Sequence, residues 1–278
     1  MTNKQDNFSN IASNYSLSES IYSYGYNLRL KHSSFKHDTL NWITNNLSEL
    51  LTVEKPKILS LGCGAGIFDS EFIETIKQER KEWSFTGLDF SATDLDHFRK
   101  NLTTLDKETQ TRVTLEFNKF DSSTDLGESY DLITMIHFLH SFDDVLPIVK
   151  NALQHVSPGG RLLIVQQNKQ GISELRNQFI KILPNQKFQC SEHIKKLLQA
   201  EKIAFSAHEI ETSFHVSIMR KRSLETLLLM SFCFVNDLSL LDIHQQEEIR
   251  QAFLSFAAEQ NDKTGIICES MEAIVCHK

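Results

Sequence analysis

The sequence is poor in cysteine, proline and glycine, and each shortage excludes a class of protein. Its 278 residues include five cysteines, four prolines and ten glycines. So few prolines and glycines exclude a collagen-like or low-complexity chain. The cysteines are odd in number and none forms a CxxC pair, so we expect neither a disulfide framework nor a structural zinc site. This cysteine usage favours a reducing compartment, and we expect a cytoplasmic protein.

Long apolar runs and an excess of basic residues are also missing. The most apolar stretch, 227–235, is interrupted by Ser231 and is far shorter than the roughly 20 residues that span a bilayer. The first residues, MTNKQDNFSN, are polar, so we expect no signal peptide. The 29 basic and 36 acidic residues give a net charge of −7, which provides no general electrostatic reason to bind nucleic acid. We therefore expect neither a membrane nor a nucleic acid as a partner.

What the chain does have is an alternation of short apolar runs and helical patterns between residues 57 and 167. This order is typical of βαβ units around a parallel sheet, so we predict an α/β fold. The predicted strands are 57–61, 84–90, 113–120, 131–136, 161–167 and 271–276, with one or two more strands in 205–218. The predicted helices are 37–51, 68–80, 95–105, 145–156, 173–183, 191–201, 223–235 and 242–259. We expect residues 1–30 to be a mobile arm or a lid, and 220–262 to pack over the sheet as a cap.

The strongest local signal is ILSLGCGAG at 58–66, where an apolar strand runs into three alternating glycines and then a helix. Without a Cβ, Gly62 and Gly64 can adopt positive φ and let a ligand lie against the backbone. The helix that follows offers free N–H groups at its start. A phosphate loop needs Gly-Lys-Ser/Thr, and a dinucleotide motif needs glycine where the chain has Ile67. A GxGxG turn for the amino acid part of S-adenosylmethionine and an ordinary tight turn remain open.

Polar side chains end the next two predicted strands. Asp89, in GLDFS, could accept hydrogen bonds from both ribose hydroxyls of a nucleoside placed over the glycine turn. Asp121 and Ser122 end the third strand, where an adenine edge would fall and an oxygen could accept from the exocyclic amine. For Asp89 the alternative is a helix cap or turn residue, and for Asp121 a turn residue is an equal alternative.

Together these segments resemble the class I S-adenosylmethionine-dependent methyltransferases. The segments ILSLGCGAG, GLDFS, KFDSS, YDLITMIHFLH and SPGGRLLIV match the family's successive motifs in order and spacing, over about residues 57–167. The resemblance implies a Rossmann-like seven-stranded, mostly parallel sheet with helices on both faces. It also implies that the last strand is antiparallel and lies between strands five and six.

The same resemblance implies S-adenosyl-L-methionine as the cofactor and assigns residues to it. Gly62 and Gly64 would contact the methionine moiety, and Asp89 the ribose. Asp121 and Ser122 would lie near adenine, with Ile136 under the base. No metal is implied, because His137-x-x-His140 has no third ligand.

A longer part of the chain is similar to histamine N-methyltransferase and its relatives, through YNLRLKHSSFKH, KILSLGCGAGIFD and YDLITMIHFLHSFDDV. In that family the imidazole-amine substrate is held by a Glu in the arm, a Gln after strand four and an Asn near the last strand. The matching positions here are Phe35, His137 and Glu269, and none keeps the family residue. The resemblance implies the architecture, while these differences predict an acceptor other than histamine.

His137 is the candidate catalytic residue, because it follows strand four at the carboxyl ends of the parallel strands, where ligands bind. An imidazole has an ordinary pKa of about 6.5 and could take a proton from the acceptor. A polar residue at the rim of the site is the alternative.

The N-terminal segment is rich in aromatic residues and could wall the pocket or contact an ammonium group. Packing of an N-terminal helix is the alternative. Glu269 could pair with a cationic acceptor, although most such residues are surface charges. The residues predicted to bind the substrate are Tyr15, Phe35, His137 and Glu269.

We therefore predict an S-adenosylmethionine-dependent methyltransferase acting on a small molecule, at an amine or imidazole nitrogen, as a monomer or weak dimer. An O-methyltransferase, a protein methyltransferase and a non-catalytic S-adenosylmethionine-binding protein remain alternatives. The predicted parts are an N-terminal arm or lid with a helix (1–52), the cofactor-binding core (53–219), and a helical cap with the last core strand (220–278).

Overall fold

The computed structural model describes residues 17–181, 183, 189–260 and 265–278, which contain one seven-stranded sheet and eleven α-helices. The strands are β1 (Lys57–Leu61), β2 (Ser84–Asp89), β3 (Val113–Phe117), β4 (Tyr130–Ile136), β5 (Val156–Gln167), β6 (Phe205–His215) and β7 (Ile266–His277). The helices are α1 (Glu19–His32), α2 (Phe35–Asn45), α3 (Leu47–Leu50), α4 (Asp69–Glu79), α5 (Ala92–Leu102), α6 (Lys107–Thr111), α7 (Leu146–Gln154), α8 (Ile172–Gln178), α9 (Ser191–Ala200), α10 (Leu224–Phe234) and α11 (Ile243–Gln260).

The strand order is β3-β2-β1-β4-β5-β7-β6. The strands from β3 to β5 pair in parallel, and β7 runs antiparallel to β5. The predicted fold is thereby confirmed, including the insertion of the last strand between strands five and six. The central strands β1 and β4 are almost continuous runs of buried apolar residues, as a parallel sheet flanked by helices requires.

Two strands are longer than predicted. β5 was expected to start at residue 161, because Pro158, Gly159 and Gly160 are typical of a turn. It starts at Val156, which pairs with Tyr130, and the register then shifts so that Leu132 pairs with Arg161. The proline and glycines therefore lie in an irregular stretch of the strand. β7 begins at Ile266, five residues earlier than the predicted start at 271.

Residues 19–32, within the segment expected to be a mobile arm or a lid, form helix α1, so the alternative of a packed N-terminal helix is observed there. The sequence conceals this helix because Gly25 lies in its middle, where glycine costs about 1 kcal/mol relative to alanine. The structure shows why glycine is there. A Cβ at Gly25 would lie 2.5 Å from the Cβ of Phe232 on α10, so the two helices approach too closely for a larger residue. The role of this segment as a lid remains a prediction.

The chain divides into two compact units, each built from non-consecutive segments. The sheet unit comprises residues 37–167, 189–210 and 271–278, and the helical unit comprises the described residues of 1–36, 168–188 and 211–270. The boundary between them falls within β6 and β7.

Each unit has its own apolar core. The core of the sheet unit includes Leu59, Ile133 and Ile164, and that of the helical unit includes Leu229, Phe234 and Phe253. No helix in the described part of the chain is long and apolar enough to cross a membrane. The predicted division into three functional parts stays a prediction.

Candidate active site

The turn after β1 has three glycines in the left-handed region, with φ of +72° at Gly62, +51° at Gly64 and +67° at Gly66. Their surroundings differ. A Cβ at Gly62 would lie 2.4 Å from the ring of Phe138, and one at Gly66 would lie 2.0 Å from the ring of Phe98. A Cβ at Gly64 would meet no atom within 4 Å. Gly62 and Gly66 therefore allow packing within the protein, whereas Gly64 borders open space in which a ligand can reach the backbone.

Asp89 connects the glycine turn to the end of β2. Its Oδ2 accepts the backbone N–H of Gly64 at 2.8 Å, and its Oδ1 accepts the N–H of Ser91 at 2.8 Å. The residue is buried, with 8% of its surface exposed. A carboxylate has about four lone-pair sites, so each oxygen keeps the capacity to accept a further hydrogen bond. The predicted alternative of a turn residue is therefore present in the structure, and it leaves the ribose role possible in the same geometry.

Asp121 lies in a turn after β3. Its Oδ1 accepts the backbone N–H of Ser123 at 2.9 Å and the Ser123 hydroxyl at 2.7 Å, and these bonds hold the pKa of the carboxyl below its ordinary value. The amide of Asn151 on α7 donates to the carbonyl oxygens of Asp121 and Thr124. Ser122 is exposed. The turn role of Asp121 is thus observed, and the adenine contacts of Asp121 and Ser122 remain predictions.

Ile136 is the last residue of β4 and His137 follows it, and both are partly exposed. The N–H of His137 donates to the carbonyl of Val165 on β5 at 3.0 Å, while its φ is +52°. A residue other than glycine with positive φ is uncommon, although asparagine, aspartate and histidine adopt it more often than others, and such backbone conformations are frequent at functional sites. This conformation is the structural reason to keep His137 as the catalytic candidate.

Sequence reasoning missed Asp69, the first residue of α4. It is buried, and the Ser60 hydroxyl on β1 bonds to its carboxyl group. Burial raises the pKa of Asp69 to about 7. Burial, followed by the charges of Asp69 and Asp89, raises the pKa of Cys63, so this thiol stays protonated. The sequence does not indicate this burial, because Asp69 begins the polar segment DSE, which is typical of an exposed helix start.

The helical unit contains two other predicted site residues, Phe35 and Glu269. The guanidinium of Arg29 donates to the carboxylate of Glu269, whose side chain is fully buried. The Arg29 Cζ also lies 4.0 Å from the centre of the Phe214 ring and 6.0 Å from that of Phe35. The charge of Glu269 is therefore balanced within the protein, which sequence reasoning did not anticipate.

The structure brings Gly62, Gly64 and Asp89 together as predicted, at the carboxyl ends of β1 and β2. Tyr15 lies outside the described residues. Within the described part of the chain, no three histidine, cysteine or acidic side chains form a group that could hold a metal ion. The substrate roles of Tyr15, Phe35, His137 and Glu269 stay predictions.

Comparisons with known proteins agree with this geometry. Residues 35–229, well over half of the chain, match a family model described as a methyltransferase domain. No curated protein sequence matches the chain. The narrower similarity to histamine N-methyltransferase therefore stays a prediction.

Solved structures share the fold. YcgJ from Bacillus subtilis is 14% identical with a TM-score of 0.59, and the match covers 87% of this chain and 98% of that one. A candidate sarcosine dimethylglycine methyltransferase from Galdieria sulphuraria is 12% identical with a TM-score of 0.54, covering 86% and 85%. A candidate methyltransferase from Bacillus halodurans is 10% identical with a TM-score of 0.55, covering 84% and 98%.

Proposed function

We propose, from the premise that the chain belongs to the methyltransferase domain family, that it methylates a nitrogen of a small amine or imidazole compound with S-adenosylmethionine as the methyl donor. One observation carries the cofactor part of the proposal: the open space at Gly64 lies beside a buried carboxylate, Asp89, that keeps lone pairs available.

The residues present fit this cofactor. The open backbone at Gly64 suits the methionine moiety, which must approach the turn where any side chain would intrude. Gly62 supports the same turn. Asp89 would accept from the ribose hydroxyls, and Asp121, Ser122 and Ile136 would surround the adenine.

S-adenosylmethionine supplies an activated methyl group on its sulfonium. The protein's own contribution is therefore to orient the acceptor, to exclude water and to manage one proton. His137 would take that proton from the acceptor nitrogen. An amine that arrives neutral needs less of this help than an imidazole or a phenol.

One feature of the sheet unit supports a nitrogen acceptor. His137 stands directly after β4 with a positive φ, which suits a positioned base. The absence of a carboxylate at Phe35 leads us to expect poor turnover of histamine.

The test is a methyl-transfer assay that measures S-adenosylhomocysteine formation over biogenic amines, imidazoles, phenols, carboxylates and peptides. The protein with Gly64→Ala is the control for cofactor-dependent turnover. We expect turnover of amines or imidazoles. Turnover of phenols alone would make the protein an O-methyltransferase, and turnover of peptides alone a protein methyltransferase. Tight S-adenosylhomocysteine binding with no turnover of any acceptor would favour a non-catalytic binding protein.

A further inference from the structure

Asp69 has an unused hydrogen-bonding atom in the interior of the sheet unit. Its carboxyl group is bonded to the Ser60 hydroxyl and to its own backbone N–H. Its Oδ1 is buried and has no hydrogen-bond partner among the described residues. An unsatisfied buried acceptor is costly, so a ligand that supplies the missing donor would relieve that cost.

The ionisable groups around Asp69 are acidic. The titratable groups that face it are the carboxylate of Asp89 and, in the adjacent turn, the thiol of Cys63. No lysine or arginine of the described residues contributes to its titration. Burial and Asp89 raise its pKa to about 7, so the site lacks a positive charge that would balance the ionised carboxylate.

We infer that Asp69 is a cofactor-binding residue, and that its carboxylate receives the ammonium group of the methionine moiety of S-adenosylmethionine. Three observations converge: the unused Oδ1, the proximity of Asp69 to the glycine turn through Ser60 and Cys63, and the open space at Gly64. An ammonium offers three N–H donors and one positive charge, which is what this acidic site lacks. The inference rests on the proposed function.

The competing explanation is that Asp69 only ties α4 to β1 through Ser60. Asparagine in its place would keep an acceptor for the Ser60 hydroxyl and would remove the charge. Asp69→Asn therefore separates the two roles. Glu74→Gln is the matched control, because Glu74 lies on the same helix, is partly exposed, and only approaches Lys77 at 3.8 Å.

The experiment is calorimetric titration of the full chain with two ligands, S-adenosylhomocysteine and 5′-methylthioadenosine. Both carry the nucleoside, but only the first has the amino acid with its ammonium. We expect Asp69→Asn to weaken S-adenosylhomocysteine by roughly tenfold or more, the size of a charge-assisted hydrogen bond. Binding of 5′-methylthioadenosine should not change, and Glu74→Gln should alter neither.

A second readout is the number of protons that the protein releases when it binds the ligand. Binding of the ammonium stabilises the ionised form of Asp69, so near pH 7 the unmodified protein should release protons when it binds S-adenosylhomocysteine. Repeating the titration in buffers of different ionisation enthalpy measures that release, which Asp69→Asn should abolish. Unchanged S-adenosylhomocysteine affinity in Asp69→Asn, or an equal loss for both ligands, would overturn the inference. If the unmodified protein binds neither ligand, the proposed function itself fails.

Discussion

The backbone N–H of Gly64 donates to the Asp89 carboxylate at 2.8 Å, which joins the turn after β1 to the end of β2. One carboxylate thus shapes the glycine turn and also keeps acceptor sites toward the open space. Binding and unfolding must therefore be measured together for each substitution, because an amide loses the charge and also retains only one of the two oxygen acceptors that hold the turn.

Asp89→Asn should weaken S-adenosylhomocysteine binding by roughly tenfold or more and lower the free energy of unfolding by about 1 kcal/mol, because its amide nitrogen replaces the acceptor of one turn N–H. Asp89→Ala should weaken binding at least as much and lower the free energy of unfolding further, by about 1–3 kcal/mol, because the N–H groups of Gly64 and Ser91 both lose their acceptor. Calorimetry and urea unfolding measure the two effects. Full affinity in Asp89→Asn would leave Asp89 with its turn role alone.

The three glycines of the turn should respond differently to alanine. Gly64→Ala should cost about 1 kcal/mol of stability from its positive φ and abolish cofactor binding, because the new Cβ enters open space. Gly66→Ala should lower the free energy of unfolding several times more than Gly64→Ala does, since its Cβ would lie 2.0 Å from the Phe98 ring.

Gly127→Ala is the control for the cost of placing alanine at a positive φ. Gly127 has φ of +69° and would also meet no atom within 4 Å, but it lies in the turn before β4. It should lose about as much stability as Gly64→Ala and bind S-adenosylhomocysteine normally. Equal binding by the Gly64 and Gly127 variants would contradict a ligand at the glycine turn.

The sheet could be predicted from the sequence because its signals are local. KILSL and DLITMI are apolar runs bounded by turn residues, and both became strands with nearly the predicted bounds. Gly62, Gly64 and Asp89 could be singled out for the same reason, since they lie at or just after the ends of β1 and β2. Helix α1 was only an alternative at the level of sequence, because Gly25 disfavours a helix and is explained by Phe232, about 200 residues further along the chain. The Arg29–Glu269 pair and the burial of Asp69 are likewise tertiary facts that no local pattern encodes.

His137 should tolerate residues that accept positive φ. His137→Asn should fold with stability within about 0.5 kcal/mol of the unmodified protein, because asparagine adopts the left-handed region readily. If His137 takes the acceptor's proton, kcat should fall by roughly 10²–10⁴-fold while cofactor affinity is unchanged. His137→Gly should regain part of its activity when imidazole is added. A kcat unaffected by either substitution would assign His137 to the rim of the site.

The Arg29–Glu269 pair should make single substitutions of Glu269 hard to interpret. Glu269→Ala leaves the buried guanidinium of Arg29 without its partner, and we expect a loss of about 3–5 kcal/mol in the free energy of unfolding. The double substitution Arg29→Met with Glu269→Leu should cost much less. Urea unfolding of the unmodified protein, Arg29→Met, Glu269→Leu and the double variant gives the coupling energy. Lost activity in Glu269→Ala therefore counts as a substrate effect only if the double variant is folded and also inactive. A coupling energy near zero would show that the pair does not stabilise the fold.

Asp69 should make the cofactor-free protein less stable as the pH rises. Its carboxyl has a pKa of about 7 when folded, against about 3.9 in an unfolded chain. Between these values the folded state holds a proton that the unfolded state has released, so the free energy of unfolding falls as the pH rises from about 4 to 7. Above pH 7 this contribution levels off.

Asp69→Asn carries no such proton and should be the more stable protein at pH 8, by on the order of a few kcal/mol at most. Urea unfolding at pH 5 and pH 8 measures the difference, with Glu74→Gln as the control for removing one carboxylate from α4. Saturating S-adenosylhomocysteine should shrink the advantage of Asp69→Asn, because a bound ammonium stabilises the ionised form that the empty site disfavours. Parallel pH profiles for the unmodified protein and Asp69→Asn would contradict a raised pKa at this residue.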